Sequence, residues 1–215
     1  MKIGLIDYNA GNLTSVVAAL RHLGSDYQVV TDPGAFGSLD KIIVPGVGEA
    51  RSAMEHLERT GLGTAIVEFA AKGKPFLGIC LGSQVILDFS EERDTPCLGI
   101  VPGKCRSFLD EYSRQHIPDK EFKIPHIGWN QVRVLDSDGI GARLFHGIPD
   151  SRSFYFDHGY YNVPSDSDWV VGETDHGITF PAAFGRDNLA AVQFHPEKSG
   201  IYGLRLLENF LTRFL

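Results

Sequence analysis

Short apolar runs alternate with stretches of helical periodicity along the first part of the chain. Residues 2–6 form one such run, partly β-branched, and it breaks at Asp7-Tyr8-Asn9-Ala10-Gly11-Asn12. Beyond the break Leu13, Val16, Val17, Leu20 and Leu23 recur at helical spacing, with Asn12 placed to cap the helix and Gly24 to stop it. Residues 27–31 and 41–44 read as two further strands, the second ending at Pro45-Gly46-Val47-Gly48-Glu49. A helical pattern over 52–72 is interrupted near Thr60-Gly61, and Gly73-Lys74-Pro75 turns the chain into a fourth strand, Phe76-Leu77-Gly78-Ile79. A helix is expected next, over 83–89. Alternating strands and helices predict a parallel sheet with helices on both faces, and strands as uniformly apolar as 42–44 and 76–79 suit a sheet covered on both sides.

From Cys97 onward the texture changes. Strand-like runs at 132–135, 153–157, 169–172, 178–184 and 189–194 are separated by Gly, Pro, Asp and Ser turns, a layout that predicts antiparallel or mixed pairing. Residues 200–215 close the chain with an amphipathic helix on Leu204, Leu207, Phe210, Leu211 and Phe214. Residues 106–123 are the most polar stretch and are expected to be a mobile loop. With no internal repeat, low-complexity tract or linker, the pattern predicts one α/β domain over 1–215, its central sheet mostly parallel or mixed and flanked by helices.

Composition narrows the function. The chain has 215 residues, 43% of them hydrophobic, with 14 Phe and 7 Tyr; that builds a core and excludes a disordered chain. A net charge of −7 argues against a nucleic-acid partner bound by phosphate neutralisation. Three Cys are no disulfide framework, and an odd number leaves a free thiol, as in a reducing compartment. No signal-peptide layout opens the sequence, and no apolar run approaches the roughly 18–20 residues that span a bilayer. A cytoplasmic protein without a membrane partner is therefore expected.

The strongest chemical signal is Gly78-Ile79-Cys80-Leu81-Gly82-Ser83-Gln84. A strand, a sharp turn and a helix, with Gly two before and two after a nucleophile, is the layout of a nucleophile elbow, here with Cys for Ser. The turn strains the nucleophile, and the small neighbours let backbone pack closely. A helix N-terminus behind Cys80 would favour the reactive thiolate, and the Leu81 N–H would face a developing oxyanion. A buried structural Cys at a strand end is the plainer alternative, against which both glycines speak. A Cys nucleophile needs a base and the base an orienting group. In Gln193-Phe194-His195-Pro196-Glu197 the carboxylate of Glu197 stands two residues from His195, with Pro196 stiffening the link. Alone this would be a surface turn. The strand ends of a parallel sheet gather on one edge, where Cys80 and His195 can meet. Pro45-Gly46-Val47-Gly48 reads either as an ordinary turn or as the second half of an oxyanion hole. Trp129 is open between core anchor and exposed contact, and His126 and His158 read as ordinary hydrogen-bonded histidines. The absence of H-E-x-x-H and C-x-x-C spacings argues against zinc, and no P-loop or complete dinucleotide fingerprint is present, so no cofactor is expected.

Taken together, the oxyanion strand, the Cys elbow and the late His-Pro-Glu resemble a class I, triad-type glutamine amidotransferase over essentially the whole chain, which implies a flavodoxin-like fold. Within the class, the chain is most similar to the glutaminase subunits of imidazole glycerol phosphate synthase. That likeness rests on the Asp7–Asn12 segment, Pro45-Gly46-Val47-Gly48, Pro125-His126-Ile127-Gly128-Trp129-Asn130, Phe154-Tyr155-Phe156-Asp157-His158-Gly159-Tyr160-Tyr161 and Gln193-Phe194-His195-Pro196-Glu197-Lys198-Ser199. The resemblance implies that Cys80 attacks the side-chain amide of L-glutamine, that His195 moves the proton and that Glu197 orients it. Val47, Gly48 and Leu81 would hold the oxyanion, and Gly48, Gln84, Gly159 and Tyr160 would contact the substrate. Ammonia would pass to a partner (β/α)8-barrel cyclase in a heterodimer, with Asn12, Trp129 and Lys198 at the interface. It further implies a glutaminase held inactive until its partner binds ligand, for example by a peptide flip at Val47. Ser83 stands where such subunits usually have Met, and Asp157 and Gly159 flank His158 where Val and then Ser or Thr are typical. These departures, expected at the substrate pocket or the partner face, leave room for a paralogue feeding another synthase, such as one amidating a nucleotide-linked sugar.

Overall fold

The computed structural model describes residues 2–9, 11–118, 122–136 and 138–214. The chain forms strands β1 (Ile3–Ile6), β2 (Tyr27–Val30), β3 (Lys41–Val44), β4 (Phe76–Ile79), β5 (Phe89–Ser90), β6 (Thr95–Pro96), β7 (Gly103–Ser107), β8 (His126–Val134), β9 (Arg152–His158), β10 (Tyr160–Pro164), β11 (Val170–Asp175), β12 (Thr179–Arg186) and β13 (Leu189–Val192). Its helices are α1 (Leu13–His22), α2 (Ala50–Thr60), α3 (Leu62–Ala71), α4 (Leu81–Gln84), α5 (Phe108–Gln115), α6 (Ile140–Leu144) and α7 (Gly200–Arg213). Nine strands make one sheet in the order β2-β1-β3-β4-β13-β12-β11-β8-β9, and β10-β7-β5-β6 make a smaller one.

The large sheet is mixed, as the change of texture predicts. β1 to β4 run parallel, β13 joins β4 in parallel, and β12, β11, β8 and β9 continue antiparallel. Side chains along β3 alternate between the two faces: Ile43 packs into one core with Leu20, Leu207 and Phe210, whereas Ile42 and Val44 pack into the other with Leu57 and Ile66. Two-sided burial explains why these strands carry no polar alternation. Lys41 is buried as well, because its ammonium caps the last turn of α7, donating to the carbonyls of Phe210 (3.2 Å), Leu211 (2.6 Å) and Phe214. The interruption at Gly61 is a left-handed residue (φ 75°) that ends α2 and starts α3. No helix among the described residues is long and apolar enough to cross a membrane, and none of their His, Cys, Asp and Glu side chains cluster to hold a metal.

Several expectations need correction. The polar stretch 106–123 is not a loop throughout. It begins in β7 and α5, where Ser107 caps the helix by accepting from the Asp110 N–H (3.3 Å) and Phe108 and Tyr112 share one buried face; residues 119–121 lie outside the described residues, as does Ala10 of the Asp7–Asn12 segment. The helix expected over 83–89 is a single turn, Leu81–Gln84. Its continuation is diverted because the carbonyls of Val85, Ile86 and Leu87 accept from the backbone N–H groups of residues 98–101 instead of from the next turn. The strand expected at 132–135 begins six residues earlier, at His126. Asn12 occupies the cap position of α1 but is itself left-handed (φ 59°), and its side chain does not cap.

The register of β4 and β13 decides where the chemistry sits. Gly78 pairs with Ala191 and Ile79 with Val192, so Cys80 and the segment after Val192 leave the sheet side by side. A Cβ at Gly82 would lie 1.8 Å from the Val44 carbonyl oxygen, which fixes how closely α4 approaches β3. Gly82→Ala is therefore expected to lower stability by about 3 kcal/mol, a fall of roughly 6–12 °C in Tm. Gly37→Ala, at a site with no atom within 4 Å of the added carbon, should stay within about 0.5 kcal/mol of the parent. Thermal melts of the two variants give the comparison.

Candidate active site

Cys80 is held at φ 51°, ψ −110°, a conformation that side chains disfavour and that an elbow stores as strain. Close packing maintains it. A Cβ at Gly78 would approach the Gly82 carbonyl to 2.9 Å, and one at Gly46 would collide with the Tyr8 hydroxyl. The Cys80 N–H donates to Val192 (2.8 Å), and its thiol points at the Asp157 carbonyl, 3.9 Å away. The Leu81 N–H does not face open space as the elbow pattern suggests: it donates to the Gly46 carbonyl at 3.2 Å. Val47, Gly48 and Leu81 line one cavity of about 230 Å³ together with Tyr8 and His56.

His195 follows β13 and is fully buried. Its backbone N–H donates to Tyr155 (2.8 Å), and its Nδ1 donates to Glu197 Oε1 (2.7 Å), both side chains being 0% exposed. The same Oε1 accepts a hydrogen bond from Asn12 Nδ2. His195 Nε2 has no hydrogen-bond partner of its own among the described residues. Burial alone would lower the imidazole pKa. Interaction with Cys80, followed by the hydrogen bond to Glu197, reverses this and raises it. Cys80, His195 and Glu197 are thus one buried, coupled group at the carboxyl ends of two adjacent parallel strands, the place where open α/β sheets bind ligands. Burial pushes the Cys97 thiol up to about 12 and the Cys105 thiol well above its ordinary value.

A model of the class-I glutamine amidotransferase family matches residues 4–214. The chain belongs to that family. Among curated relatives, it is 45% identical over 210 residues to the imidazole glycerol phosphate synthase subunit HisH of Herpetosiphon aurantiacus (97% of this chain, 93% of that one). It is 43% identical over 212 residues to the HisH subunit of Dechloromonas aromatica (97% and 95%). Among solved structures, a glutamine amidotransferase from Thermotoga maritima superposes with a TM-score of 0.64 at 16% identity (100% and 82% covered). PurLQS from Thermotoga maritima does so with 0.72 at 18% identity (100% and 99%). At such identities these two establish the fold.

In this amidotransferase Gln84 is 5% exposed, and its Nε2 donates to the Tyr160 carbonyl (3.3 Å) and to Gln193 Oε1 (3.1 Å). Gly159 and Tyr160 form the corner between β9 and β10, anchored where Phe108 N–H donates to the Gly159 carbonyl (3.3 Å). Ser83 lies neither at a pocket wall nor at an outer face, as its departure from the family suggested. It is wholly buried behind Cys80, its hydroxyl donating to the Cys80 carbonyl at 2.6 Å. Trp129 is 59% exposed, which closes the question of a core anchor, and it packs edge-on to Tyr155 (6.2 Å), over which Lys198 Nζ also sits (5.6 Å). Asn12 turns inward to the triad rather than outward. Sequence reasoning assigns Asn12 a capping place and misses this contact with Glu197; its one signal is the polar run Asp7–Asn12, too rich for a simple turn.

Beside the corner stands a pair of histidines with fixed proton positions. His158 Nδ1 donates to the Tyr160 carbonyl (2.7 Å), so its Nε2 accepts from His126 Nδ1 (3.0 Å). Both are 5% exposed, and burial lowers each pKa from 6.5 to about 3. The unfolded chain therefore binds more protons than the folded one between about pH 6.5 and pH 3, and stability falls as pH drops through that window. Urea unfolding free energies should decline by about 2–3 kcal/mol per pH unit between about pH 5.5 and pH 3.5. His126→Gln should reduce that slope by about one proton.

Proposed function

We propose that this chain is the glutaminase subunit of imidazole glycerol phosphate synthase, a single glutaminase domain over residues 1–215 that works in the cytoplasm. It would hydrolyse L-glutamine and deliver ammonia to a (β/α)8-barrel cyclase in histidine biosynthesis. The observation that carries this reading is the buried coupling of Cys80, His195 and Glu197, supported by the near full-length similarity to HisH subunits.

In this mechanism the Cys80 thiolate attacks the side-chain carbonyl carbon of glutamine, and the C=O electron pair moves onto oxygen. The tetrahedral adduct collapses as His195 protonates the amide nitrogen, so that ammonia leaves and a γ-glutamyl thioester remains. Water then attacks the thioester while His195 takes its proton, and glutamate departs as the thiolate reforms. Glu197, with Asn12 beside it, holds the imidazole with Nδ1 protonated and balances the imidazolium. Gly48, Gln84, Gly159 and Tyr160 frame the substrate.

The oxyanion needs Leu81 N–H together with an N–H from Val47 or Gly48. The Gly46 carbonyl now occupies the Leu81 donor, so the Gly46–Val47 peptide must turn over for catalysis. Partner binding would drive that turn. Trp129 and Lys198, with Tyr155 between them, are the proposed docking surface; an exposed Trp ringed by aromatic and basic groups is the composition of an interface hot spot. Asn12 would join this surface to the triad.

Cys80→Ala should abolish glutamine hydrolysis; unchanged turnover would sink the mechanism. Wild-type hydrolysis should rise on the order of tenfold or more when a cyclase is added together with its ribonucleotide substrate. A chain that ignores both, while Cys80 still reacts with a glutamine-analogue electrophile, would feed a different synthase. Trp129→Ala should weaken association by about 30-fold in Kd, read by calorimetry.

A further inference from the structure

Thiolate stabilisation at Cys80 cannot come from a long helix, because α4 is a single turn. Another donor is in place. Gln193 is wholly buried beside the sulfur, and its Nε2 lies 3.7 Å from Cys80 Sγ. Carbonyl oxygens only accept, so hydrogen-bond directions in this cluster are forced. Ser83 Oγ–H must donate to the Cys80 carbonyl (2.6 Å), which leaves Ser83 Oγ as acceptor for Asn162 Nδ2 (2.9 Å). The second hydrogen on Asn162 Nδ2 goes to Gln193 Oε1 (3.0 Å). Gln84 Nε2 must likewise donate to the Tyr160 carbonyl, and it too gives its second hydrogen to Gln193 Oε1 (3.1 Å). Two donors thus fix the oxygen of Gln193, and its NH2 group is turned towards the sulfur.

We propose that Gln193 is a thiolate-binding donor at Cys80, aimed by a closed ring of hydrogen bonds that leaves from the Cys80 carbonyl and returns to its sulfur through Ser83 and Asn162. The inference rests on Cys80 being the nucleophile and deepens that reading. Ser83 and Asn162 are positioning residues. Ser83 fixes the direction of the ring, which gives a physical role to the one elbow residue that departs from the family pattern. In the neutral thiol the S–H points at the Asp157 carbonyl (3.9 Å). The thiolate has no hydrogen to offer there and accepts from Gln193 instead, so the contact strengthens as the nucleophile forms. The titratable groups around the sulfur are His195 backed by Glu197, Tyr8 just after β1, and Cys105. None is altered by changes at Gln193 or Ser83.

The test is the pH dependence of iodoacetamide alkylation of the full chain, read at the Cys80 peptide by mass spectrometry so that Cys97 and Cys105 do not contribute. Gln193→Met preserves volume and removes the donor. It should raise the alkylation midpoint by about one pH unit, with the rate about tenfold lower below the midpoint, and an unchanged plateau at high pH. Ser83→Ala should shift the midpoint in the same direction by less. A Gln193→Met midpoint equal to wild type, or a rate reduced equally at every pH, would overturn the proposal. Where Gln193→Met does not fold, a Ser83→Ala midpoint equal to wild type does the same. Glutamine hydrolysis that survives Cys80→Ala would instead overturn the nucleophile reading itself.

Discussion

The parallel pairing of β4 with β13 holds Cys80 and His195 together. It joins segments more than a hundred residues apart in sequence, and the placement of the proposed triad follows from its register. Because Val192 accepts the Cys80 N–H (2.8 Å), the residue after β13 cannot move relative to the elbow without breaking the sheet. His195 is tied a second time, through its own N–H to Tyr155 on β9 (2.8 Å). Cys80 follows β4 directly, and His195 and the 3-10 turn that carries Glu197 come just after β13. The same constraint sets the glycines. The elbow must press against β3 to reach its neighbours, and Gly78, Gly82 and Gly46 are the points where any side chain would intrude.

Burial is the second constraint, and it works on hydrogen-bond direction more than on energy. Inside the cluster behind Cys80 each polar group has few partners, so one forced donor determines the next. Where partners run short the structure leaves atoms unpaired: among the described residues Tyr8 Oη, Asn162 Oδ1, His195 Nε2, Glu197 Oε2, Arg106 Nε and Glu111 Oε2 are buried without a hydrogen bond. The first four lie in or around the proposed triad. A site that must exchange protons and accept a substrate oxygen keeps such capacity.

The parts legible in sequence are those where one face or one residue type decides. β1, residues 42–44 of β3 and β4 are apolar because both faces are covered, Gly61 breaks a helix because its φ is positive, and the Cys elbow is readable because strain requires small neighbours. Other parts depend on tertiary partners that no local pattern carries. The sequence pattern shortens β8 because its apolar residues, Ile127 and Trp129, point outward, while His126 occupies the inner face. The segment 83–89 has helical spacing, yet the carbonyls that would extend the helix are taken by residues 98–101. Asn12 reads as a cap until the fold brings Glu197 beside it. Ser83 reads as a departure in a pocket until Asn162, 79 residues away, is seen to bond it.

The same geometry gives the proposed regulation its energetic scale. The Gly46 carbonyl on Leu81 N–H is one neutral hydrogen bond, worth about 0.5–1.5 kcal/mol net. Turning the peptide therefore requires little free energy from the bond itself, and its remaining opposition is steric: a carbon on Gly11 would lie 2.8 Å from the Val47 side chain, so Gly11 packs directly on the segment that must move. Asn12, the next residue, holds Glu197. A partner that presses on Trp129 and Tyr155 acts on β9, to which the His195 backbone is bonded. In the proposed complex that surface thus reaches the triad through the Tyr155–His195 backbone hydrogen bond, and the oxyanion strand through Asn12 on Glu197 and Gly11 on Val47.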